Sequence, residues 1–289
     1  GATEANVLIT GETGTGKELF ARAIHYASAR HARPFVPVNC GALPDTLFEN
    51  ELFGHEKGAY TDASTAGFGL LSVGDGGSLF LDEVDSLSLA SQAKLLRVLQ
   101  DREYRPLGSP RAVKANVRII AAANTPLAER IAAREFRADL YYRLDVLALR
   151  LPSLAERRED IPILARHFLA RFAKELRRPA PRLSAEAVQR LMEHTWHGNV
   201  RELESVMQRV LVLWDGPVVN AAAIDLSDSW PSRDASPAAS PFRIADAVHQ
   251  FVRQCLTNLL STAGGNVTKA ARAAGKDRRS FQRLLRRHG

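Results

Sequence analysis

The fold of this sequence is decided by one short stretch, Gly11-Glu12-Thr13-Gly14-Thr15-Gly16-Lys17. It matches the pattern G-x-x-x-x-G-K, in which glycines let backbone N–H groups turn towards phosphate oxygens and the lysine reaches the terminal phosphates. The pattern requires a strand before it and a helix after it. Val7–Thr10 is an apolar run typical of a buried strand, and residues 19–29 have the apolar spacing of a helix. The stretch therefore predicts a phosphate-binding loop between a strand and a helix.

Outward from this loop, short β-rich runs alternate with helical patterns as far as about residue 148. This alternation predicts an α/β fold with a mostly parallel sheet that is covered by helices on both faces. We expect this nucleotide-binding subdomain to occupy residues 1–152. Its predicted strands are Val7–Thr10, Pro34–Asn39, Ser78–Leu81, Val117–Ala122 and Asp145–Leu149.

Two acids, Asp82 and Glu83, directly follow the predicted strand Ser78–Leu81. Asp82 is expected to hold Mg²⁺ directly or through water, and Glu83 to polarise the water that attacks the γ-phosphate. Acids at the start of a helix are the alternative explanation. Glu18 stands where a general phosphate-binding loop has a Ser or Thr magnesium ligand, so the metal must depend on other groups.

The rest of the chain divides into three parts. Residues 153–226 predict a small α-helical lid, with helices at Ile161–Glu175, Ser184–Glu193 and Asn199–Leu213. Residues 227–241 contain five Ser, three Pro and three Ala, a composition typical of a linker. Residues 242–289 begin with one wide apolar stripe, which indicates either a dimer contact or packing within a three-helix unit. The stripe consists of Ile244, Val248, Phe251, Val252, Cys255, Leu256, Leu259 and Leu260.

The C-terminal 24 residues carry the whole net charge of the chain, +7. We predict one helix over Asn266–Ala274, with Ala270, Ala271 and Ala274 turned inward, a turn at Gly275, and a second helix that Asp277 caps. Basic and amide side chains on one face of the second helix would enter the major groove of double-stranded DNA. A basic protein-binding helix is the competing interpretation. The expected DNA contacts are Arg278, Arg279, Ser280, Gln282, Arg283 and Arg286.

The composition excludes several other classes of protein. Two widely separated cysteines, Cys40 and Cys255, indicate neither a disulfide framework nor a zinc site. No apolar run approaches the length of a membrane span, and the start lacks a signal-peptide pattern. We therefore expect a cytoplasmic protein with no membrane partner. Because the first strand follows Gly1 by only a few residues, we also expect a regulatory domain upstream in the natural protein.

Several long motifs, in order along the chain, resemble those of the sigma-54 activators, a family of ring-forming AAA+ ATPases in bacteria. The family's phosphate-binding loop also has Glu after its lysine, as at Glu18 here. The other matching stretches are Glu51-Leu52-Phe53-Gly54-His55-Glu56-Lys57-Gly58-Ala59, Phe136-Arg137-Ala138-Asp139-Leu140-Tyr141-Tyr142-Arg143-Leu144 and Trp196-His197-Gly198-Asn199-Val200-Arg201-Glu202-Leu203. The C-terminal end resembles the Fis-type helix-turn-helix that is usual in this family.

The resemblance implies a role for each matching residue. Arg137 and Arg143 would act as arginine fingers on the ATP of a neighbouring subunit, so a homo-oligomer, a hexamer-type ring, would be needed. Asn39 would pair with the catalytic Glu83 in a nucleotide-dependent switch. Asn124 and Arg201 would be the first and second sensors of nucleotide state. The expected nucleotide contacts are Gly11, Glu12, Thr13, Gly14, Thr15, Gly16, Lys17, Glu18, Leu19 and Arg201.

Three positions depart from the family's pattern. The loop that contacts sigma-54 normally has the sequence Gly-Ala-Phe-Thr-Gly-Ala, whereas this chain has Gly58-Ala59-Tyr60-Thr61-Asp62-Ala63. Replacing Gly with Asp62 removes backbone freedom and adds a negative charge at the loop tip. Ala123 stands where Thr usually precedes the first sensor, and Ala155 stands where Arg is usual.

These departures keep three hypotheses open. In the first, ATP controls oligomerisation of a DNA-bound regulator that acts without sigma-54, because the contact loop is altered. In the second, ATP hydrolysis remodels the closed complex of RNA polymerase with sigma-54. In the third, the chain is an AAA+ protein-remodelling ATPase. A few relatives with altered loops respond to a cyclic dinucleotide, which is a further candidate ligand.

Overall fold

The computed structural model describes residues 3–42, 44–60, 63, 65–226 and 266–273. The chain forms two compact units, Gly1–Trp230 and Pro231–Gly289, and each is considered by itself. Within the described residues, no helix is long and apolar enough to cross a membrane.

The first unit is built on five parallel strands in the order β2-β5-β8-β1-β9. All five strands predicted from the sequence are present, with ends that differ by at most two residues. The strands of this sheet are β1 (Val7–Thr10), β2 (Phe35–Asn39), β5 (Ser78–Asp82), β8 (Arg118–Ala123) and β9 (Leu147–Arg150). Six two-residue strands form small separate ladders: β3 (Gly54–His55), β4 (Gly67–Phe68), β6 (Glu103–Tyr104), β7 (Val113–Lys114), β10 (Arg182–Leu183) and β11 (Val218–Val219).

Helices cover both faces of the sheet. Neighbouring residues of each strand point to opposite faces, so both sets of side chains are buried. On β1, Leu8 belongs to one apolar cluster, and Val7 and Ile9 belong to another. This explains why the strands are continuous apolar runs. The helices of this half are α1 (Lys17–Tyr26), α2 (Asp45–Phe53), α3 (Leu70–Val73), α4 (Leu89–Asp101), α5 (Leu127–Ala132) and α6 (Ala138–Leu144).

The parallel arrangement places the carboxyl ends of the strands along one edge of the sheet. Asn39 pairs with Asp82 in the register of β2 and β5, and Thr10 pairs with Ala123 in that of β1 and β8. The residues that follow β1, β5 and β8 therefore lie side by side. These are the phosphate-binding loop, the acid pair and the predicted first sensor.

Residues 153–226 form the predicted lid around a core of their own. Its helices are α7 (Ile161–Glu175), α8 (Ala185–Glu193) and α9 (Asn199–Leu213), which match the predicted bounds to within one residue. Three short 3₁₀ turns accompany them, at Leu154–Glu156, Arg158–Asp160 and Ala221–Ala223. The α-helical lid predicted over residues 153–226 also contains one short ladder that was not predicted, in which β10 pairs with β11. Two residues are too few to produce a period in the sequence.

In the second unit the structure describes one helix, α10 (Val267–Ala273). The side-chain oxygen of Asn266 accepts the backbone N–H groups of Thr268 and Lys269, at 3.0 and 3.2 Å, and so caps the helix. Ala270 and Ala271 are buried, as predicted. The predicted inward position of Ala274 and the predicted second helix lie outside the described residues.

Candidate functional site

The phosphate-binding loop has the geometry that its sequence predicts. Gly16 precedes α1 with a φ of 99°, and nothing lies within 4 Å of the position that a Cβ would occupy there. The Lys17 ammonium donates to the carbonyl oxygens of Gly11 and Glu12 at 2.7 and 2.9 Å. The Thr15 hydroxyl donates to the same Glu12 carbonyl at 2.8 Å. The loop is therefore closed on its own lysine and leaves open space beside Gly16.

Lys17 is buried and Asp82 is half-buried, and their opposite charges interact. Burial lowers the pKa of Lys17, and the carboxylates of Asp82, Asp85 and Glu83 oppose that shift. Burial likewise raises the pKa of Asp82, and the positive charge of Lys17 opposes it. A buried cation beside a half-buried carboxylate is suited to a polyanionic ligand and its counter-ion.

Glu83 follows Asp82 in a left-handed conformation, with a φ of 56°. A Cβ on Gly41 would lie 2.5 Å from the Glu83 Oε2 atom, so glycine leaves room for the carboxylate. The side-chain oxygen of Asn39 accepts the N–H of Gly41 at 2.8 Å. Among the described contacts, Asn39 makes no hydrogen bond to Glu83. The two predicted switch residues are thus neighbours that are not directly paired in this conformation.

The lid docks on the phosphate-binding loop through backbone atoms of Gly14. The Gly14 carbonyl accepts the N–H groups of Val200 and Arg201 at 2.9 and 3.3 Å. A Cβ on Gly14 would lie 2.2 Å from the carbonyl oxygen of Gly198, so only glycine permits this approach. The predicted second sensor, Arg201, is exposed and close enough to lower the pKa of Lys17 through its charge, although burial is the main cause of that shift.

Asn199 is a site residue to which sequence analysis assigned no role. Its side chain is fully buried, and its amide nitrogen donates to the Glu12 carboxylate and to the Thr13 carbonyl oxygen, both at 3.0 Å. Its amide oxygen accepts the N–H of Leu154 at 2.7 Å. One side chain therefore joins the phosphate-binding loop, the first 3₁₀ turn of the lid and the start of α9. Its place inside the motif Trp196–Leu203 was the available signal.

Two further contacts complete this edge of the sheet. The Arg157 guanidinium donates to the Thr15 carbonyl oxygen at 3.1 Å. The buried carboxylate of Asp85 accepts the backbone N–H of Asn124, the predicted first sensor, at 3.3 Å. The sequence offered no specific signal for Asp85 beyond an acid two residues after Glu83.

Of the two predicted arginine fingers, Arg137 directly precedes α6 and Arg143 lies in its last turn. Neither contacts the phosphate-binding loop of its own chain among the described contacts. Arg137 makes a two-pronged ion pair with Asp139, at 3.0 and 2.7 Å, which lowers the pKa of that carboxyl group. The side chain of Arg143 is exposed, and no described residue pairs with it. Both charges are thus accessible to another molecule.

The predicted contact loop is described at Gly58, Ala59, Tyr60 and Ala63. The Gly58 N–H donates to the Ala63 carbonyl oxygen at 2.9 Å, and Tyr60 packs against His55 with ring centroids 5.1 Å apart. Thr61 and Asp62 lie outside the described residues. The predicted DNA contacts, Arg278, Arg279, Ser280, Gln282, Arg283 and Arg286, also lie outside them.

The base of this loop is anchored to the segment after α4. The Leu107 N–H donates to the Gly54 carbonyl oxygen at 2.8 Å, and the Glu56 N–H donates to the Leu107 carbonyl oxygen at 2.9 Å. The Ser109 hydroxyl donates to the Glu56 carboxylate at 2.6 Å. The base of the predicted contact loop is therefore hydrogen-bonded to residues 107–109.

This combination of loop, acid pair and lid has a match among protein families. The sigma-54 interaction domain matches residues 1–150, and the AAA+ ATPase lid domain matches residues 155–239. The chain belongs to the sigma-54 interaction domain family. This confirms the family predicted from the sequence.

The relatives of this sigma-54 interaction domain protein include named regulators. It is 47% identical over 287 residues to the transcriptional regulatory protein GlrR of Escherichia coli (strain K12), a match that covers 99% of this chain and 63% of GlrR. It is 43% identical over 290 residues to the transcriptional regulatory protein ZraR of Salmonella typhimurium, with coverages of 99% and 64%. The chain thus spans less than two thirds of these relatives.

Solved structures confirm the predicted α/β fold with its parallel sheet. The structure of NtrX from Brucella abortus in complex with ATP superposes with a TM-score of 0.72 at 34% identity, and covers 99% of this chain and 64% of NtrX. The same protein in complex with ADP gives the same TM-score and identity. A closed state of Hsp104 has a TM-score of 0.54 at 16% identity over 72% of this chain, which shows a shared fold alone.

We expect Asp82→Asn to stabilise the ligand-free protein increasingly as pH rises. The raised pKa of Asp82 means that its protonated form is favoured in the folded state, so wild-type stability falls as pH rises above the ordinary value of 3.8. Asparagine cannot ionise and avoids this loss. The difference in unfolding midpoint between variant and wild type should therefore grow as the pH rises from 4.5 to 7.5.

Asp139→Asn is the matched control, because the pKa of Asp139 is lowered by its ion pair with Arg137. Its unfolding midpoint should change in the opposite sense, falling behind wild type as pH rises. A pH-independent difference for Asp82→Asn would contradict the assigned electrostatics of the site.

Proposed function

We propose that this protein is an ATP-hydrolysing, DNA-bound transcription regulator. The observation that carries the proposal is the convergence of Lys17, Asp82 and Glu83 at one edge of the sheet, with the lid docked on the same loop. A solvated surface cluster would not need a buried lysine between carboxylates. The NtrX structures with ATP and ADP support the choice of nucleotide.

The residues of the site fit ATP and Mg²⁺. The open space beside Gly16 and the N-terminus of α1 suit the phosphates, and the Lys17 ammonium would exchange its carbonyl partners for phosphate oxygens. Asp82 would hold the metal, which supplies charge neutralisation on the phosphates when bound. Glu83, in the wider space that Gly41 leaves, would take a hydrogen bond from the attacking water and orient it.

Hydrolysis on this scaffold requires a second copy of the chain. Arg137 and Arg143 contact no phosphate-binding loop of their own chain in the described structure, and Arg143 has no described partner. We assign both to the ATP site of a neighbouring subunit, where positive charge stabilises the charge that develops on the transferred phosphoryl group. The ring would form through residues 1–226.

We assign residues 227–241 to a linker and residues 242–289 to a Fis-type helix-turn-helix domain that dimerises and binds double-stranded DNA. The support is the +7 charge of the last 24 residues and the capped helix α10 with its buried alanines.

For the polymerase partner, we propose action without sigma-54. The support is the loop sequence Gly58-Ala59-Tyr60-Thr61-Asp62-Ala63, with a charged residue at its tip. The second candidate, remodelling of the sigma-54 closed complex, is favoured by a different observation. The base of the loop is intact and tied to Leu107 and Ser109, as a loop that transmits force would require. The AAA+ protein-remodelling hypothesis lacks an observation of its own.

We expect Lys17→Ala to abolish ATP binding and Glu83→Gln to retain binding but lose turnover by about two to four orders of magnitude. Binding is measured with a fluorescent ATP analogue and turnover by phosphate release. Glu103→Gln, an exposed carboxylate remote from the site, is the matched control and should leave both unchanged. Undiminished turnover in Glu83→Gln would remove the water-orienting role from this residue.

The two candidates are distinguished by measuring open-complex formation with purified RNA polymerase. The polymerase carries either sigma-54 or the housekeeping sigma factor. We expect the unmodified protein to stimulate only the housekeeping enzyme, and Asp62→Gly to gain activity with sigma-54, because it removes the charge and restores backbone freedom. Asp75→Gly, an exposed turn residue outside the contact loop, is the control. ATP-dependent stimulation of the sigma-54 enzyme by the unmodified protein would establish the second candidate instead.

A further inference from the structure

Asp85 is a buried carboxylate that the proposed hydrolysis does not use. It lies on the 3₁₀ turn Val84–Ser86, two residues after Glu83, and is 4% exposed. A carboxylate in such a place is costly unless its oxygen atoms are hydrogen-bonded. Its partners therefore indicate why this residue is tolerated there.

All three described hydrogen bonds of the Asp85 carboxylate come from the loop after β8. The Asn124 backbone N–H donates to Oδ1 at 3.3 Å, and the Thr125 backbone N–H donates to Oδ2 at 3.2 Å. The Thr125 hydroxyl also donates to Oδ2, at 2.8 Å. Asp85 thus fixes the backbone on which the Asn124 side chain is carried.

The same turn also carries Glu83, since the Ser86 N–H donates to the Glu83 carbonyl oxygen at 2.9 Å. A short rigid path therefore runs from the Glu83 backbone through Asp85 to the Asn124 backbone. The Asn124 side chain itself is half-buried and has no described hydrogen-bond partner. Its direction depends on its backbone, which Asp85 holds.

The chemistry of these bonds requires a carboxylate rather than an amide. Asparagine at position 85 has one acceptor oxygen, and its NH₂ group would face N–H or O–H donors of residues 124 and 125.

Thr125 also provides a hydroxyl group near the strand that leads to the predicted first sensor. Ala123 lacks the hydroxyl usual there, and the Thr125 hydroxyl, two residues later, is directed to Asp85 instead.

We propose that Asp85 is a positioning residue that holds the Asn124 sensor at a fixed place relative to Glu83, with Thr125 as its partner. This inference rests on the proposed ATP hydrolysis. Neither Asp85 nor Thr125 needs to touch the nucleotide. Their contribution acts through Asn124, and this makes the inference testable by epistasis.

The test compares ATP turnover in Asp85→Asn, Thr125→Val and Thr125→Ser, each alone and combined with Asn124→Ala. Asp85→Asn and Thr125→Val should each lower kcat about ten- to a hundredfold, as misplacement of a site group does, while KM for ATP changes much less. Thr125→Ser retains the hydroxyl group, so its kcat should equal that of wild type. Added to Asn124→Ala, Asp85→Asn should lower kcat no further, because its effect passes through Asn124.

Thermal unfolding of every variant separates positioning from folding, and Thr125→Val provides a second test if Asp85→Asn does not fold. The proposal would be overturned if Asp85→Asn lowered kcat further in the Asn124→Ala background. An unchanged kcat in both Asp85→Asn and Thr125→Val would also overturn it.

The failure of the proposed function is distinguishable from the failure of this inference. If wild type does not hydrolyse ATP, the proposed function fails, and the inference is then judged by nucleotide affinities alone. The ratio of affinities for a non-hydrolysable ATP analogue and for ADP should shift in Asp85→Asn and Thr125→Val in the same direction as in Asn124→Ala. An unchanged ratio in both variants would overturn the positioning role.

Discussion

The hydrogen bonds between the carbonyl oxygen of Gly14 and the start of α9 are the constraint on which the rest of this structure depends. They bring the lid so close that a Cβ on Gly14 would overlap the carbonyl oxygen of Gly198. The Asn199 amide nitrogen adds two hydrogen bonds across the same junction. The predicted phosphate-binding loop is therefore also the surface against which the lid packs. Any movement of the loop on nucleotide binding should also move the lid, because backbone hydrogen bonds join the two.

The same edge of the sheet contains an unusual density of buried charge. Lys17 and Asp85 are buried and Asp82 is half-buried, and burial lowers the pKa of Lys17 and raises the pKa of Asp82. Such an arrangement sacrifices stability of the ligand-free protein in order to present preorganised charges to a ligand. Asp85 differs from the other two, because both of its carboxylate oxygen atoms accept hydrogen bonds from the loop after β8.

The sequence allowed the five-stranded parallel sheet, the lid helices and the family to be predicted, because strands buried on both faces and amphipathic helices leave strong periodic signals. Motif spacing also suggested Lys17, Asp82 and Glu83, and the family resemblance suggested Asn124; their roles stay predictions, although the structure places all four at one edge of the sheet. The sequence did not predict the roles of Asn199 and Asp85. Asn199 acts through contacts with residues 186 and 187 positions away, and Asp85 through contacts 39 and 40 positions away. No local pattern encodes such pairings, and the two-residue strands were too short to detect.

In the proposed function, one chain carries an incomplete ATP site, which the exposed Arg143 of a second copy completes. The most direct test mixes two inactive variants. Lys17→Ala retains its arginines but binds no ATP, whereas Arg143→Ala retains its phosphate-binding loop but cannot complete a neighbour. The account predicts that each variant alone hydrolyses little ATP and that an equal mixture recovers measurable turnover. Full turnover by Arg143→Ala alone, or no recovery in a mixture shown to co-assemble, would contradict it.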